Sequence, residues 1–200
     1  MTNKFLTFAF LIALAVFVSA CTGNSTQEVT DSPDTRSDDQ VSAAAGEGTT
    51  VSDASSLPLW MTAELKDVAT GNIFTINDFK GKQVLLESFA VWCPICTRQQ
   101  QESKKLESLL DVVSISIDTD PNEDEARIQN HIQRQGFDWL YTISPVAVTN
   151  SLIDDFGLTI VNVPLAPMIV ICGDQTTHRL RNGVKSAEEL RDSIVQLCGA

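Results

Sequence analysis

The stretch Val84-Leu-Leu-Glu-Ser-Phe89 runs without interruption into Ala90-Val-Trp-Cys-Pro-Ile-Cys96. Its near-continuous apolar character reads as a strand buried on both faces, the kind found inside a parallel sheet. Pro94 follows the first cysteine, and proline is tolerated in the first turn of a helix. The polar segment from Pro94 to about Leu110 supplies that helix. Cys93 and Cys96 therefore stand at a helix mouth, about one turn apart. Helix amides and the positive end of the dipole favour a thiolate at Cys93. Cys96 is close enough to attack a mixed disulfide formed there. The strand, the turn and the spacing predict reversible disulfide chemistry.

Other uses of two cysteines at this spacing fit less well. A zinc site needs two more ligands, usually a second closely spaced pair. Cys172, Cys198, His131 and His178 are each isolated in the sequence. A c-type haem site needs histidine directly after the second cysteine, and Thr97 stands there. His131 lies mid-helix among polar residues and is expected in solvent, whereas His178 reads as a structural strand residue.

The remaining pattern alternates strands with helices. Asp67 to Ile76 has hairpin character, and Asp111 to Asp118 is a second apolar, β-branched strand. The acidic run from Asp120 opens a helix that stops at Gly136. Trp139 to Ile143 reads as a short strand and Val146 to Phe156 as a helix. Met168 to Cys172 and Thr177 to Arg181 form a hairpin, and Ser186 caps a last helix. This order describes an α/β sandwich with a C-terminal β-hairpin and helix.

The ends of the chain speak to location. Lys4 precedes an apolar run, Phe5 to Val18, suited to a signal segment over residues 1–20. It closes in Val18-Ser-Ala-Cys21, which resembles a lipobox with Cys21 as the lipid-modified residue. An uncleaved anchor helix would instead leave Cys21 an ordinary thiol. Either arrangement tethers the domain outside the cytoplasm. Residues 21–56 are rich in Ser, Thr, Asp, Gly and Ala, and carry about half of the net charge of −12. They read as a solvated linker ahead of a folded domain at 57–200. The acidic balance argues against nucleic acid as a partner.

With Gly81-Lys-Gln-Val-Leu-Leu and Trp92-Cys-Pro-Ile-Cys96 in view, the chain resembles the thioredoxin superfamily, and within it the membrane-anchored TlpA/ResA-like thiol–disulfide oxidoreductases. The resemblance runs from about Leu57 to Ala200. It implies a thioredoxin-like α/β/α sandwich around a central mixed sheet. It places Glu87 where many thioredoxins keep a buried acid, able to take a proton from Cys96. TlpA-type proteins often have Asn there, and ResA-like proteins carry a Glu where this chain has Gln99. A cis-proline beside the cysteines is implied, with Pro167 the better-spaced candidate and Pro164 the alternative. The backbone of Ala166 would then pair with a substrate peptide. Trp92 is expected to pack beside the cysteines and shield them.

In such a sheet the ends of the fourth core strand and of the last helix approach one edge. A Cys172–Cys198 disulfide and two buried thiols both fit that placement. The resemblance further implies protein thiol or disulfide substrates and a membrane protein that donates or accepts electrons. No cofactor beyond the Cys93–Cys96 disulfide is needed. Reduction of exported proteins is the expected direction. An oxidant of the same fold and a copper-handling lipoprotein, with Met168 near the cysteines, are the alternatives.

Overall fold

A computed structural model describes residues 57–199. The signal segment, the linker and Cys21 lie outside the described residues. The short helix α1 (Leu59–Thr62) and the two-stranded hairpin β1 (Leu65–Lys66) and β2 (Ile73–Phe74) come first. The core follows as β3 (Val84–Phe89), α2 (Pro94–Leu106), β4 (Val113–Asp118), α3 (Glu125–Gln135), β5 (Leu140–Ile143), α4 (Val146–Phe156), β6 (Met168–Ile171), β7 (Thr177–Arg179) and α5 (Ala187–Cys198).

The main sheet has the order β5-β4-β3-β6-β7. The first three strands are parallel, and β6 and β7 turn antiparallel. Central β3 is buried along its whole length, as its apolar sequence requires. Alternation sends its side chains to two layers. Val84 and Leu86 pack with Ile115, Ile169, Trp60 and Leu152, under α1 and α4. Leu85 faces the other way, with Leu106 of α2 and Leu190 and Ile194 of α5. Phe89, two further pleats along, meets Ile128 of α3 and both redox cysteines. Glu87 lies between Leu85 and Phe89 on that same face, beneath α2. Each fully buried Leu or Ile contributes about 1.5–3 kcal/mol to this packing.

Two helix boundaries differ from the sequence expectation. Helix α2 ends at Leu106, because the amides of Leu109 and Leu110 both turn back onto the Leu106 carbonyl and steer the chain into β4. Helix α3 begins at Glu125, after Asp124 has capped it by accepting the Arg127 amide at 2.9 Å. The acidic residues ahead of it form a loop, tightened by Asp120 Oδ1, which accepts the Asn122 amide. That loop returns to the redox turn. Gly136 ends α3 at φ 67°, a conformation glycine adopts without cost.

Candidate active site

Cys93 is the N-cap of α2, extended at φ −85° and ψ 108°. Its Sγ accepts the Cys96 amide at 3.3 Å, so the helix end already directs a donor at the sulfur. Both cysteines are free thiols under the surface. Cys96 Sγ donates to the Val163 carbonyl at 3.4 Å. Burial pushes the Cys96 thiol far above the ordinary range, and the adjacent Cys93 and the Glu87 carboxylate add to that. Cys96 therefore needs a base before it can attack.

Glu87 is 5 % exposed, and its charge bears on Cys96. Its Oε1 accepts from Ser116 Oγ at 2.7 Å, and Ser116 in turn accepts from Trp139 Nε1 at 2.8 Å. Burial raises the Glu87 pKa to about 7, while Ser116, the Gln100 amide and the charge of Lys185 oppose the rise. A carboxyl poised there exchanges its proton at neutral pH.

The same burial makes Glu87 a stability element with a defined sign. Its folded pKa lies above its unfolded value of 4.5. The stability it contributes is full below that unfolded value and is lost as pH rises through about 7. Between pH 5 and pH 8 the wild type should lose about 2.5 kcal/mol relative to Glu87→Gln. Urea unfolding of both proteins at the two pH values checks this. Parallel pH profiles would contradict it.

Four expectations from the sequence are corrected. Among the described residues every peptide bond is trans, so neither Pro164 nor Pro167 is cis. The reversal is made by Ala166, held at φ 45° and ψ 57°. Left-handed backbone is strained for a residue with a Cβ, and more so before proline. Ala166 also offers no free edge to a substrate. Its N–H donates to Val163 O at 2.9 Å, and its carbonyl accepts Lys185 Nζ at 2.9 Å. Pro167 is buried, and its carbonyl accepts the Ser88 amide.

Trp92 does not cover the cysteines: it is 59 % exposed. Its indole N–H requires an acceptor and finds Asp120 Oδ2 at 2.6 Å, which holds the ring out over the acidic loop. The cover comes instead from Phe89, Ala90, Val163 and partly buried Val91 and Ile95. His131 is not in solvent but 2 % exposed, with Nε2 2.6 Å from Gln100 Oε1. Phe89, Phe137 and Tyr141 surround its ring. Burial lowers its pKa.

Other groups at the site carry no signal in the sequence. Glu123 Oε2 accepts the Val91 amide at 2.8 Å, and its Oε1 accepts the Trp92 amide at 3.3 Å, pinning the turn ahead of Cys93. Beside it Asp118 is buried with Oδ2 unpartnered. Burial and the neighbouring Glu123 raise the Asp118 pKa to about 8. Gln99 bonds to the Lys185 backbone, and Lys185 Nζ to the Ala166 carbonyl. The structure bonds Cys172 to Cys198, joining the end of β6 to the end of α5. Met168 pairs with Glu87 across β3 and β6. His178 lies in β7, opposite Val170. Among the described residues no group of three or more His, Cys, Asp or Glu is arranged to hold a metal ion.

A dithiol at the end of α2 over this mixed sheet defines the class, a thioredoxin-like thiol–disulfide oxidoreductase. The chain belongs to the redoxin family, whose model matches residues 42–177. Comparison with curated proteins finds no match. Several solved structures share the fold. A secreted Mycobacterium tuberculosis disulfide oxidoreductase homologous to Escherichia coli DsbE is 18% identical, over 66% of this chain and 94% of that one, with a TM-score of 0.51. A thiol:disulfide interchange protein of the thioredoxin family from Chlorobium tepidum is 21% identical, over 68% and 92%, at 0.52. A SCO1/SenC family lipoprotein from Bacillus anthracis is 18% identical, over 67% and 91%, at 0.53.

Proposed function

We propose that this chain is a lipid-anchored, extracytoplasmic reductant of disulfides in exported proteins, with Cys93 as nucleophile and Cys96 as resolving thiol. The observation that carries the reading is the Cys93–Cys96 dithiol with Glu87 beneath it. A thiolate at Cys93 attacks one sulfur of the substrate disulfide. The other substrate sulfur departs with the bonding pair and takes up a proton. Cys96 then gives its proton to Glu87, and its sulfur attacks Cys93 Sγ. The second substrate sulfur leaves as thiolate, and Cys93 and Cys96 are joined. Two electrons have passed to the substrate, and a membrane electron donor must restore them.

Charge around the site favours this direction. Strong oxidants of this fold stabilise their reduced, thiolate form. Here burial, the neighbouring Cys93 and the Glu87 carboxylate disfavour negative charge on Cys96. The Cys172–Cys198 disulfide supports an oxidising compartment. The apolar run Phe5 to Val18 and Cys21 support export and lipid anchoring.

The test is the state of the protein in its own cells. After acid quenching, a mass-tagging maleimide should add two tags, at Cys93 and Cys96, and mass spectrometry of the purified protein should find Cys21 as its lipid-modified first residue. A steady state with no tags would reverse the proposed direction. An unmodified Cys21 would remove the lipid anchor.

A further inference from the structure

Lys185 has no part in the exchange written above, yet its side chain is 1 % exposed. Its Nζ donates to the carbonyls of Ala166, at 2.9 Å, and Gly183, at 2.5 Å. Among the described residues it forms no ion pair. A buried ammonium held by carbonyls alone is costly, and such a cost calls for a reason.

Its surroundings supply one. Gln99, three residues past Cys96 on α2, grips the Lys185 backbone from both sides. Gln99 Oε1 accepts the Lys185 N–H at 2.8 Å, and Gln99 Nε2 donates to the Lys185 carbonyl at 3.2 Å. Lys185 is thereby strapped to the redox helix. Its ammonium holds the carbonyl of strained Ala166, whose N–H donates to Val163 O. That same Val163 oxygen receives Cys96 Sγ. A continuous chain of contacts therefore runs from Lys185 through Ala166 and Val163 to the resolving thiol. A second link acts through space, since the Lys185 charge favours the carboxylate form of Glu87.

We propose that Lys185 is a positioning residue for the resolving step, fixing the Val163–Ala166 turn against Cys96 and keeping Glu87 ready as its base. The proposal rests on the dithiol reading given above. In the step, the Cys96 S–H proton passes to Glu87, and an electron pair on Cys96 sulfur forms the bond to Cys93 Sγ. The bond from Cys93 to the substrate sulfur breaks, and the substrate departs with that pair as a thiolate. Lys185 touches none of these atoms. It acts through the turn and through the charge on Glu87. The groups that bear on its own charge are Arg181, which opposes it, and Glu189 on α5 and Glu87 on β3, which favour it. Burial is the larger influence and lowers its pKa to about 8.

A stopped-flow reaction of the reduced full chain with an aromatic disulfide, 5,5′-dithiobis(2-nitrobenzoate), separates the two halves. The first thionitrobenzoate released reports attack by Cys93. The second reports resolution by Cys96. For Lys185→Met and Lys185→Gln the first release should stay within about twofold of wild type, and the second should slow about fivefold at pH 7, a change equivalent to moving the Glu87 midpoint up from about 7 by about one pH unit. The pH profile of the second release should move upward by that amount. Slowing with an unmoved profile would mean a purely structural role and would overturn the proposal. Should the methionine variant fail to fold, the glutamine variant decides, because it keeps a donor for Ala166 and lacks the charge. A measurement on the wild type needs no variant. The ¹⁵N resonance of Lys185 Nζ should shift when the dithiol is oxidised, and an unchanged signal would contradict the coupling. Absence of the first release in the wild type would instead sink the dithiol reading itself.

Discussion

Replacing Cys93 with serine should stop disulfide exchange altogether, a loss of more than about a thousandfold in turnover. A serine hydroxyl stays protonated at neutral pH and forms no mixed disulfide. Replacing Cys96 should give a different failure. Cys93 would retain its N-cap position in α2 and its attack on substrate, but the product would stay attached, since the resolving sulfur is gone. A disulfide-bonded peptide mixed with each variant, acid-quenched and run without reductant, checks both outcomes. Cys93→Ser should give no adduct and Cys96→Ser a stable one. An adduct of equal yield on both would contradict the assignment of nucleophile and resolver. The asymmetry follows from local structure. Cys93 occupies the end of the helix, where amides point outward, whereas Cys96 is held as a thiol against the Val163 carbonyl.

The second large effect concerns stability. The Cys172–Cys198 bond closes a loop of 26 residues. In the chain-entropy account such a loop is worth about 3.5 kcal/mol. It ties the end of β6 to the last residue of α5, the helix whose Ala187, Leu190 and Ile194 pack on the sheet. Cys172→Ala/Cys198→Ala should therefore lower the unfolding midpoint by about 10 °C. Scanning calorimetry of the double variant against wild type reads this directly. A loss below about 1 kcal/mol would mean that packing of α5 alone holds the sheet edge. The consequence reaches the redox site, because α5 follows immediately on Lys185 and its Glu189 bears on the Lys185 charge.

The parts of this molecule that were legible in the sequence are those written by local rules. The apolar run of β3, the proline after Cys93, Gly136 at the end of α3 and Ser186 at the start of α5 each signal an element through periodicity or capping. Glu87 is also visible, because an acid inside an apolar strand stands out. What escaped depends on contacts between distant segments. Lys185 and Gln99 lie 86 residues apart, and neither has a neighbour in sequence that hints at burial. His131 looks solvated from its own helix, and only the aromatic residues of β3, β5 and the α3–β5 loop bury it. The acidic run at 120–125 reads as helix-dipole decoration. In space Glu123 and Asp120 serve instead to hold the Val91 and Trp92 amides and the Trp92 indole.

The turn before β6 shows how a resemblance can mislead on detail while holding for the fold. The spacing of Pro164 and Pro167 fits a cis bond, but the chain reverses through the left-handed Ala166. A buried cation takes the carbonyl that a substrate strand would otherwise use. The sheet order and the place of the dithiol are unaffected. They depend on β3 and α2 rather than on how the next turn is made.

The most direct test is the midpoint potential of the Cys93–Cys96 couple. The protein is equilibrated in graded thiol/disulfide buffers, trapped by alkylation and compared with Cys93→Ser. One cooperative two-electron transition is expected, lying nearer to about −270 mV than to about −120 mV. Two thiols that never join reversibly across that range would contradict a redox role for the pair.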